Sequence, residues 1–152
     1  MRLRQSTAVA IEGRALLLEG PPGSGKSALA HALIDRGALL IGDDGIAVQE
    51  RGGALWSIPA PATAGLIELR NVGLLTLPTA DAPIGLVLQL REDAPRFVER
   101  ADTIEIAGYP IPSLAFDPRG PASMIRAEYA LALYGLKVQG SPGRHDVEPP
   151  GS

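Results

Sequence analysis

The chain has 152 residues, 45% hydrophobic and 20% charged, with a net charge of −3. That bounds it to one domain with a real core, and the absence of a basic run excludes an electrostatic nucleic-acid partner. With no cysteine, two distant histidines (His31 and His145), no apolar run of membrane-spanning length and no signal-peptide stretch, disulfides, thiolate metal sites and a membrane partner are excluded, and a cytoplasmic address is expected.

Residues 7–11 (Thr-Ala-Val-Ala-Ile) read as a strand, Glu12-Gly13 as a tight turn, and Arg14 to Glu19 as a returning strand. Then comes Gly20-Pro21-Pro22-Gly23-Ser24-Gly25-Lys26-Ser27, the pattern G-x4-G-K-S. A helix pattern follows from Ala28 to Arg36, with Gly37 as its terminator. Strand, glycine loop and helix together are the context a phosphate-binding loop requires. The glycines let successive backbone N–H groups turn to one anion, and the helix adds the positive end of its dipole. Lys26 is expected to reach the β- and γ-phosphates, and the Ser27 hydroxyl to ligate Mg²⁺. His31 reads as a surface or half-buried helix residue.

Ala38 to Ile41 is a continuous apolar run, as for a buried strand, and it delivers Gly42-Asp43-Asp44-Gly45 at its carboxyl end. Ile46 to Gln49 continues extended, Arg51-Gly52-Gly53 turns, and Ala54 to Ile58 returns. Beyond a proline loop, Gly65 to Arg70 and Val72 to Leu77 read as short strands joined near Asn71. Ile84 to Leu90 is a strong strand, 91–100 a charged connection, and Asp102 to Ile106 a half-buried strand. Tyr109 to Phe116, carrying Pro110 and Pro112, reads as an edge-type segment. After the loop Asp117 to Pro121, a second helix is expected from Ala122 to Leu136. The whole is one α/β domain over residues 1–139, strand-rich with few helices, followed by a disordered tail over 140–152.

Asp43 and Asp44 follow Lys26 by 17 and 18 residues. On a parallel neighbour strand they would stand at the phosphate edge of the sheet. There one carboxylate can accept the proton of an attacking hydroxyl while the other supports the nucleotide or its metal. Adjacent strand residues point to opposite faces, so only one should face the phosphate unless the chain bends. Asp43 is taken as the base and Asp44 as its support. Glu68 and Arg70 share one strand face by their i, i+2 spacing. Aimed at a polyphosphate they would bind metal and spread charge; periodicity alone favours an edge-strand ion pair.

These motifs resemble the catalytic domain of HPr kinase/phosphorylase. The resemblance is carried by Gly20 to Ser27, by R-G-x-L-x-x-x-D-D over Arg36 to Asp44, by E-x-R-x-x-G over Glu68 to Gly73, and by Pro110 and Pro112 before a loop with Arg119. It covers about residues 5–137. It implies a strand-rich fold of the phosphoenolpyruvate-carboxykinase-like type with a mixed sheet. It also implies ATP- and Mg²⁺-dependent phosphorylation of a serine of HPr, a phosphocarrier protein, and the reverse reaction in which phosphate removes that group and pyrophosphate is released. By position, Asp43 resembles the acid/base, Ser27 and Glu68 the Mg²⁺ ligands, and Arg70 part of the signature strand. Arg119, with Arg126 as second candidate, resembles the basic residue of the reverse reaction. The family is hexameric, which makes a homo-oligomer the expectation, and a chain that starts at the catalytic domain is similar to the shorter forms of α-proteobacteria. Gln5 stands where many members have histidine, and Asn71 replaces a signature glycine. Other readings of the phosphate loop are a small-molecule kinase, a nucleotide-sensing module without turnover, and a structural domain whose loop binds nothing.

Overall fold

The computed structural model describes residues 1–137; the tail expected from residue 140 lies outside them. The strands in chain order are β1 (Arg2–Arg4), β2 (Thr7–Ile11), β3 (Arg14–Glu19), β4 (Leu39–Gly42), β5 (Ile46–Arg51), β6 (Ala54–Pro59), β7 (Leu66–Leu69), β8 (Gly73–Thr76), β9 (Ala82–Leu90), β10 (Asp102–Ile106) and β11 (Tyr109–Phe116). Helix α1 is Lys26–Asp35 and α2 is Ser123–Tyr134. Nine strands form one mixed sheet along the path β1-β5-β6-β9-β3-β2-β4, with β11 joining at β9 and β10 pairing β11. The hairpin β7–β8 stands apart from it.

Three expectations are corrected by this topology. First, β4 pairs β2 antiparallel, and β2 pairs β3 antiparallel. So β4 runs parallel to the phosphate-loop strand with β2 between them and is not its direct neighbour. It still ends at the same sheet edge. Second, β4 is the last strand of the path and its Leu39 is 48% exposed, so the apolar run does not make a fully buried strand. Third, β11 is not the edge of one pairing throughout: Tyr109–Ser113 pairs β10, and Ser113–Phe116 pairs β9 on the way into the sheet. Its prolines precede that stretch and sit where only β10 pairs with it, so no ladder hydrogen bond to β9 is lost. Strand β1, which pairs β5, was not expected from sequence.

The period-2 pattern of the central strands sorts side chains onto two faces. Leu16 and Leu18 of β3 join Leu29 and Leu33 of α1, Leu86 and Leu88 of β9 and Leu131 of α2. Leu17 points the other way, to Ile41, Ile46, Val48 and Leu55. A register shift at Gly85 turns Ile84 to that second face while Leu86 keeps the helix face. Gly85 leaves room for α2: a Cβ there would lie 2.9 Å from Leu131 Cδ1. A bidentate pair, Arg36 Nε and Nη2 to Glu128 at 3.0 and 2.9 Å, ties the end of α1 to α2. Arg36, one of the motif residues, therefore braces the helix layer. Leu33 is fully buried in that layer. Leu33→Ala is expected to lower stability by about 2–5 kcal/mol, read from urea unfolding at unchanged slope.

Candidate active site

Strand β3 ends at Glu19, and the chain turns at once into the glycine loop. Gly25 caps α1 at φ 103°, a left-handed conformation that favours glycine. No side chain caps the helix and its first turn holds no acidic residue. Its first N–H groups are therefore orphans open to an anion. Lys26 folds back over the loop: Nζ donates to the Gly20 carbonyl at 2.8 Å and lies 3.8 Å from Asp44 Oδ1. Ser24 Oγ is buried in the loop with no partner among the described residues.

The two aspartates reach this loop together. Ser27 Oγ donates to Asp43 Oδ1 at 2.7 Å, and Thr7 Oγ1 donates to the same oxygen at 3.2 Å. The backbone N–H of Asp44 donates back to Thr7 Oγ1 at 3.0 Å. The chain bends at Asp44, which has φ 59°. That bend overrides strand alternation and lets both carboxylates serve one edge. Gly42 permits the bend, since a Cβ on it would run into the Gly45 carbonyl oxygen and sit 2.9 Å from Ile46 Cγ2. Gly42→Ala is expected to lower the melting temperature by several degrees, and to weaken ATP binding, because the turn carrying Asp43 and Asp44 must shift. Thermal unfolding with and without ATP checks it.

Ser27 and Asp43 bring hard oxygen donors together. Magnesium is held through one or two carboxylates, waters and substrate phosphates, so this donor set fits it. Among the described residues no three His, Asp or Glu side chains gather as a metal cage. Glu68 is exposed on β7, and Arg70 is exposed in the turn after it. Neither forms an ion pair with the other, and no hydrogen bond or ion pair joins them to the phosphate loop among the described residues. Ile67 anchors their hairpin on the helix-side core. Asn71 has φ 67°, which explains how it stands in for glycine at the turn.

On its other side the phosphate loop borders a cavity of about 820 Å³, closed by residues 90–93 and 118–120. Arg119 stands on its rim, with Nε 2.9 Å and Nη2 2.8 Å from the Asp117 carboxylate. Those hydrogen bonds, with one from the Arg119 N–H, pull the Asp117 pKa down to about 2. Arg126 does not reach the loop; it donates to the carbonyls of Asp117 and Arg119 and lies over the Phe116 ring. Arg126 is thus a brace for the loop that carries Arg119.

The model of the HPr Serine kinase C-terminal domain matches residues 3–80, half of the chain. The chain belongs to this family. The matched stretch holds the phosphate loop, Asp43, Asp44, Glu68 and Arg70, and stops short of Arg119. The HPr kinase/phosphorylase of Clostridium novyi is 31% identical over 150 residues, covering 88% of this chain and 49% of that protein. That of Streptococcus thermophilus is 40% identical over 68 residues, 44% of this chain and 22% of the relative. The chain spans about half the length of the curated relatives it matches along most of its own sequence. The structure of the Hpr(Ser) kinase/phosphatase from Coxiella burnetii superposes with a TM-score of 0.74 at 22% identity, over 84% of this chain and 87% of that one. This supports the strand-rich α/β fold with two helices. Among the described residues no helix is long and apolar enough to cross a membrane.

Sequence reasoning missed two parts of this HPr kinase-family site. Thr7 is the brace between the aspartates, fully buried at the head of β2. Its signal was a polar side chain opening an otherwise apolar strand. Glu19 is buried at the end of β3 and accepts Arg4 in a bidentate pair at 2.6 and 2.8 Å. A carboxylate closing an apolar run just before the glycine loop needs such a cation, and Arg4 on β1, 15 positions away, supplies it.

Proposed function

We propose that this chain is an ATP-dependent serine kinase acting on an HPr-type phosphocarrier protein. The observation that carries the reading is the convergence of Lys26, Ser27, Asp43 and Asp44 at the uncapped N-terminus of α1. The phosphates lie along the N–H groups of the glycine loop, with Lys26 donating to the β- and γ-phosphate oxygens. Ser27 would ligate Mg²⁺, which would neutralise charge on those oxygens. The serine hydroxyl attacks the γ-phosphorus in line. Its O–P bond forms as the bond to the bridging oxygen breaks, and ADP leaves. Asp43 Oδ1 is engaged by Ser27 and Thr7, and no described donor reaches Oδ2, which takes the serine proton. In the reverse reaction, phosphate attacks the phosphoserine phosphorus, the serine O–P bond breaks as pyrophosphate forms, and Asp43 returns the proton to the serine oxygen.

Glu68 as metal ligand, Arg70 at the phosphates and Arg119 in the reverse reaction belong to the same proposal and rest on the family's pattern. Arg119 must exchange Asp117 for phosphate to act there. The phosphoenolpyruvate-carboxykinase-like type of fold, the short α-proteobacterial form, the cytoplasmic address and the hexamer go with it too. The test is incubation of the purified chain with HPr-type proteins and ATP·Mg²⁺, read by intact mass. A gain of one phosphoryl group supports the proposal. Tight ATP binding without transfer to any candidate overturns it in favour of a nucleotide-sensing module.

A further inference from the structure

The phosphate loop has two sides that differ in chemistry. Lys26, Ser27, Asp43 and Asp44 occupy one of them. In a phosphate loop the lysine marks the β/γ end of the chain and the backbone N–H groups cradle the α/β part. The α end and whatever follows it must therefore leave away from Asp43. The cavity of about 820 Å³ lies along the loop and the first turn of α1, and it is bordered by Ala28 but not by Lys26, Ser27 or Asp43. Its volume is in the range of small-molecule sites. Its far wall is continuous with the phosphate cradle, since Pro118 Cγ lies 3.5 Å from the position a Cβ would take on Gly25.

We propose that this cavity is the nucleoside subsite, Pro22, Leu90 and Pro118 facing the base and the Glu92 and Asp93 carboxylates accepting the ribose hydroxyls. The inference rests on the phosphoryl-transfer reading and names what that site selects. Charge argues against a second anion in the cavity. Arg91 is held by Asp93 at 3.0 and 3.1 Å, and Arg119 by Asp117 at 2.8 Å with Glu92 at 3.8 Å. Two guanidinium groups thus face three carboxylates. Asp117, with its pKa near 2, is ionised and pairs Arg119 when no phosphate is bound. A neutral group rich in hydroxyls matches such a rim, because carboxylates are strong acceptors and offer no donor.

The experiment is calorimetric titration of the chain with ATP·Mg²⁺ and, separately, with tripolyphosphate·Mg²⁺. The expected result is ATP binding tighter by at least about tenfold. Ala28→Trp, which fills the cavity, should cancel that advantage and leave tripolyphosphate affinity within about twofold. Glu92→Ala is the second variant, and it should weaken ATP by about fivefold while leaving the 2′,3′-dideoxy analogue unchanged. Equal affinity for the two ligands, or equal losses for both in Ala28→Trp, overturns the subsite and leaves the phosphate loop standing. An Ala28→Trp variant that binds ATP normally but shows a raised KM for the protein substrate also overturns it, assigning the cavity to that partner. Failure of both ligands to bind removes the phosphate-loop reading as well.

Discussion

Asp43→Asn is expected to lower the turnover of phosphoryl transfer by about 10²–10⁴-fold with little change in KM for ATP. The replacement is nearly isosteric. An amide oxygen still accepts from Ser27 Oγ and Thr7 Oγ1, which lie 2.7 and 3.2 Å from the native Oδ1. The turn after β4 therefore keeps its place, and the melting temperature should hold. What disappears is the negative charge and the capacity to take the serine proton. A variant that folds, binds ATP and fails to transfer separates chemistry from structure. Thr7→Val supplies the contrast. It removes the hydroxyl that donates to Asp43 and accepts from the Asp44 N–H, leaving that N–H without its partner. Thr7→Val should therefore lose stability as well as rate, by about 1–3 kcal/mol. Transfer at the full rate by Asp43→Asn would show that another group, or no group, accepts the proton.

Lys26→Ala should abolish measurable transfer and also ATP binding. The loop N–H groups remain in the variant, but the ammonium that meets the developing charge on the phosphates is gone. Removing one preorganised donor of this kind costs about 10²–10³ in rate. Here the loss extends to the ground state, because Lys26 is also expected to contact the β- and γ-phosphates before reaction. In the free protein Nζ is parked on the Gly20 carbonyl and near Asp44, so it is already directed across the loop. Lys26→Arg should not restore activity. A planar fork of five donors does not fit where a compact ammonium meets one carbonyl. The check is the nucleotide-induced rise in melting temperature. Wild type at 100 times its Kd gains about 2.7 kcal/mol, and Lys26→Ala should gain almost none.

Much of the site was readable because its signals are local. The glycine loop, its lysine and its serine are contiguous, and the flanking strand and helix patterns are clear in sequence. The hairpin of β2 and β3 and the exact bounds of β10 and β11 followed from turn residues and period-2 alternation. The acidic pair was readable by spacing, but its partner strand was not. Alternation cannot say whether a buried-looking run neighbours the strand before it or lies one strand away. Nor can it say that Leu39 would end on an edge. The bend at Asp44 depends on what a side chain on Gly42 would meet across the turn, which is a contact between residues three apart in a folded loop.

The sequence by itself determined a phosphate-binding loop, an acidic pair at the right distance to serve it, and a strand-rich domain with two helices. Each of these follows from residues near one another in the chain, where backbone geometry alone decides what is possible. Only the tertiary structure decided that Thr7, 36 positions from Asp43, braces the acidic pair. It also decided that a cavity closed by residues 90–93 and 118–120 lies beside the phosphate cradle. Those facts depend on the path of β9 and β11 across the sheet. The burial of apolar faces selects that path, and no local pattern encodes it.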